Sequence, residues 1–285
     1  MNYQEIVIIG APRSGTNMLR DILTSFEGVA TWPCDEINYI WRHGNVRYPS
    51  DEIPVSKATL SIGNYIQQRF SQIQKKYNAQ YIVEKTCANS LRVPFVDSVV
   101  PNAKYIFIYR DGIDATGSAR ERWTAELDMA YILEKVKFVP KMDIPYYGLR
   151  YLWARIYRLF SKEKRLAYWG PELDEMQSLL QKYSLNEVCA LQWQRCVDKA
   201  EQAFTKIPED KVVRVRYEDF VREPSIQLSR IVEFLGVDFD PAKIADAVQG
   251  VSSRSLGKGR KALGDEEVAN LEALVGVTLK RYGYL

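Results

Sequence analysis

Four short apolar runs punctuate the chain, at 6–10, 81–85, 104–109 and 212–217, and each precedes a stretch of helical periodicity. Runs of this length, rich in β-branched and aromatic residues, fit strands buried on both faces. Their alternation with helices predicts an α/β fold: a central parallel sheet flanked by helices. Between 56 and 77, Leu60, Tyr65, Ile66, Phe70 and Ile73 recur at three- and four-residue steps, which predicts a helix that packs by one face. Further helices are predicted at 185–204, with Val188, Leu191, Gln192, Cys196, Lys199 and Ala203 mostly on its inner side, and at 224–235. The last, 265–282, is expected to be capped by Asp265 or Gly264.

The middle of the chain has a different pattern. From 123 to 175, Trp123, Tyr131, Phe138, Tyr146, Tyr147, Trp153, Tyr157, Tyr168 and Trp169 alternate with Lys137, Lys141, Arg150, Arg155, Arg158 and Lys162. Such a stretch suits the aromatic wall of a pocket. It also suits an amphipathic insertion that packs its rings on the sheet and leaves its cations in water. The expected organisation is therefore one domain, 1–285, with a helical insertion at 123–184.

Composition narrows the function. The net charge of +3 over 285 residues is too small to imply nucleic-acid binding, so the cations that matter are local. No run of 18 apolar residues is present, and the N-terminus Met-Asn-Tyr-Gln-Glu has neither the basic nor the apolar part of a signal peptide. A cytoplasmic protein is expected. Four cysteines without a C-x-x-C pair, and a single histidine, argue against a metal site.

The first apolar run leads into Gly10-Ala-Pro12-Arg13-Ser14-Gly15-Thr16-Asn17, with a helix predicted from about Thr16. A strand, a glycine loop and a helix N-terminus together aim backbone N–H groups at one point, as a phosphate site requires. The spacing is that of G-x-x-x-x-G-K-[ST], but Thr16 stands where that motif has the lysine that grips a nucleoside triphosphate. The loop's own cation is Arg13. Taken alone, the segment also fits a glycine turn in a protein that binds no nucleotide.

Pro12-Arg13-Ser14-Gly15-Thr16 resembles the loop of the sulfotransferases that use 3′-phosphoadenosine 5′-phosphosulfate (PAPS). A second match follows the third run: Arg110-Asp-Gly, with Ser118 eight positions on, resembles the family's 3′-phosphate motif. Gly112 replaces the usual proline. Arginine's fixed fork of donors and a hydroxyl suit that role chemically. The segment from Arg214 to Pro224, which holds Tyr217, resembles the family's late strand and acidic turn. Gly257-Lys258-Gly259-Arg260-Lys261 resembles its mobile basic loop. The resemblance implies a P-loop-like sulfotransferase fold, with Pro12, Arg13, Ser14, Gly15, Thr16, Asn17, Arg110, Ser118, Tyr217, Lys258, Gly259 and Arg260 on the cofactor. It also implies that 251–264 covers the cofactor, and it favours Arg260 over Lys258 and Lys261 for the 3′-phosphate. The insertion then falls on the acceptor side.

Within the family, phenol and steroid enzymes carry a histidine two positions after a lysine, where this chain has Lys85-Thr86-Cys87. Glycan and protein-tyrosine enzymes carry a glutamate after the first helix, and Asp35-Glu36-Ile37-Asn38 resembles that segment. The resemblance therefore implies Glu36 as base, with Arg13 and Lys85 stabilising the charge that develops during transfer, and His43 as a polar surface residue. The acceptor implied is a carbohydrate or glycolipid hydroxyl, with a membrane surface as a possible partner. Two other readings stay open. One is a phenolic or polyketide acceptor; the other is a nucleotide kinase or non-catalytic nucleotide-binding module.

Overall fold

The structure, a computed structural model, describes residues 3–124, 137–160, 169–237 and 240–285, without the side chains of 151 and 154–160. Tyr131, Lys162 and Tyr168, and the side chains of Arg155, Tyr157 and Arg158, therefore lie outside the described residues. Five parallel strands form the sheet: β1 (Gln4–Ile9), β2 (Val29–Ala30), β3 (Tyr81–Lys85), β4 (Lys104–Tyr109) and β5 (Val212–Arg216). Their spatial order is β2-β3-β1-β4-β5. Four of them are the predicted runs, and β2 is too short for pattern to reveal.

Alternation along each strand divides the core in two. Val7, Ile9, Ile82, Tyr105 and Phe107 face one layer, which contains Phe70, Trp193 and Phe204. Ile6, Ile8, Val83, Ile106, Ile108 and Val215 face the other, which contains Leu19, Ile22, Leu228 and Ile231. Burial on both faces is what a parallel sheet demands, and it explains why these strands read as continuous apolar runs. Among the described residues no helix is long and apolar enough to cross a membrane.

The predicted helices form at Leu60–Tyr77, Leu185–Phe204, Pro224–Leu235 and Asp265–Arg281. Ser184 and Glu187 close a reciprocal cap on the second of these. Thr59 caps the first, so its start falls later than the pattern suggested, after a short turn at Val55–Lys57. The last helix has Gly264 at its N-cap and no side-chain cap.

The strand order fixes where a site can form. β1 has β3 on one side and β4 on the other, so the connections leaving β1 and its neighbours part above the carboxyl ends of the strands. A crevice opens there in sheets of this kind. Loop 10–15, Thr86-Cys87, Arg110 and Tyr217 follow directly from the ends of β1, β3, β4 and β5.

Candidate active site

A cavity of about 810 Å³ occupies this crevice. Pro12, Arg13, Gly15, Thr16 and Asn17 line it from β1, Lys85 and Cys87 from β3, and Arg110 from the end of β4. Gly117 and Ser118 come from the helix Gly112–Thr124, and Asp35 and Glu36 from the segment after the helix Thr16–Thr24. Tyr217, Ser255, Lys258 and Gly259 close the far side. Residues scattered through the sequence thus converge on one space.

The loop is shaped for an anion. Gly15 takes φ +88 at the start of the helix Thr16–Thr24, and a Cβ there would come within 2.5 Å of the Tyr217 ring. The first N–H groups of that helix have no partner within it and point towards the cavity end of β1. Arg13 itself adopts φ +68, a conformation costly for a residue with a side chain. Its Nε donates to the Ser118 hydroxyl at 2.8 Å. Burial, then the nearby Arg122 and Arg110, lower its pKa from the ordinary arginine value. A guanidinium still keeps its proton at such a site.

Arg110 is held on every side. It donates to the Asp114 carboxylate, to the Arg13 carbonyl at 3.1 Å and to the Ser255 carbonyl at 2.9 Å. Its guanidinium also lies 4.5 Å from the centre of the Tyr217 ring. Arg110 Nε is buried with no hydrogen-bond partner among the described residues. Such an orphaned donor on the wall of a cavity is a ready contact for a phosphate oxygen.

The segment 251–264, expected as a loop over the cofactor, has regular structure. Residues 253–255 form a turn and Lys258–Leu263 a short helix. Gly259 N–H donates to Asp114 at 2.6 Å, and Gly257 N–H to the same carboxylate at 3.2 Å. Gly117 and Gly259 meet backbone to backbone: a Cβ on Gly117 would come within 2.6 Å of Gly259. This docking sends neighbouring cations in different directions. Lys258 lines the cavity, whereas Arg260 pairs with Asp111 at 2.6 Å and with Glu272 at 2.6 Å. The structure thus favours Lys258 over the expected Arg260 as the cavity cation of this segment, because two carboxylates outside the cavity hold the Arg260 guanidinium.

At the opposite wall, Glu36 Oε1 accepts from Lys85 Nζ at 3.0 Å and from the Cys87 N–H at 3.3 Å. Burial would lower the Lys85 pKa, but Glu36 outweighs it and the net shift is upward, so Lys85 stays cationic. Cys87 is buried, and burial pushes its thiol up to about 12, so it is no nucleophile. His43 is partly exposed: it pairs with Asp143 at 2.7 Å and stacks near Tyr65, and it does not line the cavity.

Among the described residues, Trp123 is core, packed with Leu185 and Cys189, while Trp169 and Gly170 reach the cavity. One cation escaped the sequence reading. Arg122 lines the cavity one helical turn beyond Ser118. The i, i+4 spacing from Ser118 was the available signal.

The model of the sulfotransferase family matches residues 5–164 and 172–241. The chain belongs to the sulfotransferase family. It is a PAPS-dependent enzyme of that family, and the orphaned Arg110 donor, the anion-shaped loop and the size of the cavity fit that donor. Solved structures agree on the fold. A sulfotransferase domain from the curacin biosynthetic pathway is 16% identical, with a TM-score of 0.56 over 99% of this chain and 98% of that one. Sulfotransferase STF9 from Mycobacterium avium is 13% identical, with a TM-score of 0.56 over 99% and 77%. Mouse sulfotransferase SULT7A1, complexed with PAP, is 14% identical, with a TM-score of 0.52 over 98% and 89%. A search of curated protein sequences finds no significant match.

Proposed function

We propose that the enzyme transfers the sulfuryl group to a hydroxyl of a carbohydrate or glycolipid, with Glu36 as the base. The observation that carries this reading is the Glu36–Lys85 pair at 3.0 Å on the wall of the same cavity as the phosphate loop. When bound, PAPS supplies an activated sulfuryl group on a phosphate that can leave. Pro12 to Asn17 would hold that phosphate by loop N–H groups, with Arg13 over the oxygens that gain charge. Arg110 and Ser118, with Lys258 and Arg122, would hold the 3′-phosphate, and Tyr217 would brace Gly15 and Arg110 from below. Glu36 would take the proton of the acceptor hydroxyl, and Lys85 would stabilise the charge beside it. Positioned charges carry most of the acceleration in such transfers, as they do in phosphoryl transfer.

The exposed residues Met142, Leu149, Leu152 and Trp153 on the insertion, beside Lys137 and Lys141, are compatible with an acceptor presented at a membrane surface. The test is release of PAP from PAPS against a panel of oligosaccharides, glycolipids, phenols and polyketide alcohols, with Glu36→Gln in parallel. A sugar hydroxyl should support turnover. Glu36→Gln should lower it by roughly 10²-fold or more while PAP still binds. Turnover confined to phenols, or a fully active Glu36→Gln, would overturn the reading.

A further inference from the structure

Beneath the Glu36–Lys85 pair lies a fully buried polar cluster that nothing in the transfer itself requires. Thr86 and Glu84 are both completely inaccessible, and so is Asn89. The Thr86 hydroxyl donates to Glu84 Oε1 at 2.5 Å and accepts from the Ile37 N–H at 3.2 Å. The Ile37 N–H can only donate, so the Thr86 oxygen is its acceptor whichever way the proton between Thr86 and Glu84 lies. Asn89 Nδ2 donates to Glu84 Oε2 at 3.0 Å, so the carboxyl group is braced from both oxygens.

The tethered N–H belongs to the residue immediately after Glu36. On its other side, Asn38 Oδ1 accepts from Arg92 at 2.5 Å, and Asn38 Nδ2 donates to Asp51 at 3.1 Å. The segment that carries Glu36 is thus fixed from below at two successive residues. The Glu36 carboxylate is fixed from the cavity side by Lys85 and the Cys87 N–H. Lys85 and Cys87 flank Thr86 in sequence. One short stretch at the end of β3 therefore grips both the backbone and the side chain of the Glu36 segment.

We propose that Thr86 is a positioning residue: its hydroxyl, oriented by Glu84, holds the backbone at Ile37 so that Glu36 stays in reach of the acceptor hydroxyl. The proposal rests on the reading of Glu36 as base. A carboxylate displaced by about 1 Å loses much of its effect, because proton transfer needs hydrogen-bond contact. Loss of the Thr86 hydroxyl leaves the Ile37 N–H buried and unpaired, and the segment will move to satisfy it. Arg13 is held by the Ser118 hydroxyl and the start of the phosphate loop by the Ser90 hydroxyl, so donor binding should be spared.

The experiment compares Thr86→Val, which keeps the shape and removes the hydroxyl, with Thr86→Ser, which keeps the hydroxyl. The probes are PAP for binding and slow sulfuryl transfer from PAPS to water for turnover, since water needs no identified acceptor. Thr86→Val should lose tenfold or more in kcat, with the PAP Kd within twofold of the parent. Amide exchange at Ile37 should quicken at least tenfold, and Thr86→Ser should restore both. In a Glu36→Gln background, Thr86→Val should cost nothing further, because it acts through the residue already removed. Should the valine variant fail to fold, Thr86→Ala carries the same comparison. Full turnover in Thr86→Val, equal losses in the valine and serine variants, or an additive loss on Glu36→Gln would each overturn the proposal. A fully active Glu36→Gln would instead remove the base reading, and the two failures are thereby told apart.

Discussion

Arg13 and Arg110, two of the arginines that line the cavity, are charged alike and held differently. Arg110 is bound by the Asp114 carboxylate, two backbone carbonyls and an aromatic face. Arg13 has no ion pair among the described residues, rests on the Ser118 hydroxyl at 2.8 Å and sits on a backbone at φ +68. A cation already neutralised and fixed can bind a group whose charge does not change. One without a carboxylate keeps its full field for charge that grows during the reaction. On the proposed reading of the site, the difference would separate ground-state recognition at Arg110 from transition-state stabilisation at Arg13.

The largest effect should come from Arg13→Ala. Turnover should fall by about 10²-fold or more, the usual scale for removing a donor aimed at developing charge, while the PAP Kd changes far less. Steady-state and binding measurements on one preparation check it. A rise in KM for PAPS with kcat intact would erase the distinction between the two arginines.

A smaller effect sharpens the contrast from beneath the transfer end, which rests on a buried carboxyl where the Arg110 end rests on an ion pair. Burial, opposed by the hydrogen bond from Thr86, raises Glu84 from the ordinary 4.5 to about 7. A folded-state pKa above the unfolded value means that protonation favours the fold. That contribution is full below about pH 4.5 and is lost as pH rises through about 7. The melting temperature should therefore fall between pH 5 and pH 8 by about 5 °C more in the parent than in Glu84→Gln. Equal slopes in scanning calorimetry would show that Glu84 does not titrate in this range.

Much of this was legible in the sequence, for identifiable reasons. Strands buried on both faces appear as apolar runs, so four of the five were placed to within two residues of their ends. The loop 12–17 and the Arg110–Ser118 spacing are local signals, and each residue named there lies in or beside the cavity. The orientation of the 257–261 cations was not legible. Lys258 and Arg260 are two positions apart on a short helix, and only the docking of Gly259 on Gly117 and Asp114 decides which faces inward. The role of Gly112, where the family has proline, was not legible either. This glycine lies against the Trp193 ring, which a Cβ would approach to 2.5 Å. That indole donates to the Arg110 carbonyl at 3.1 Å, so a contact 83 residues away in sequence steadies the motif. The strain at Arg13 and the Thr86 tether likewise depend on partners brought together only by the fold.

The central claim is that the Arg110 end of the cavity recognises a 3′-phosphate. Calorimetric titration of the parent and Arg110→Ala with PAP and with AMP, which lacks that phosphate, tests it most directly. Losing a charge-assisted hydrogen bond costs about 1.5–3 kcal/mol. PAP affinity should therefore drop tenfold or more in Arg110→Ala while AMP affinity stays within about twofold. Equal losses for the two ligands, or a parent enzyme that binds them equally well, would contradict the account.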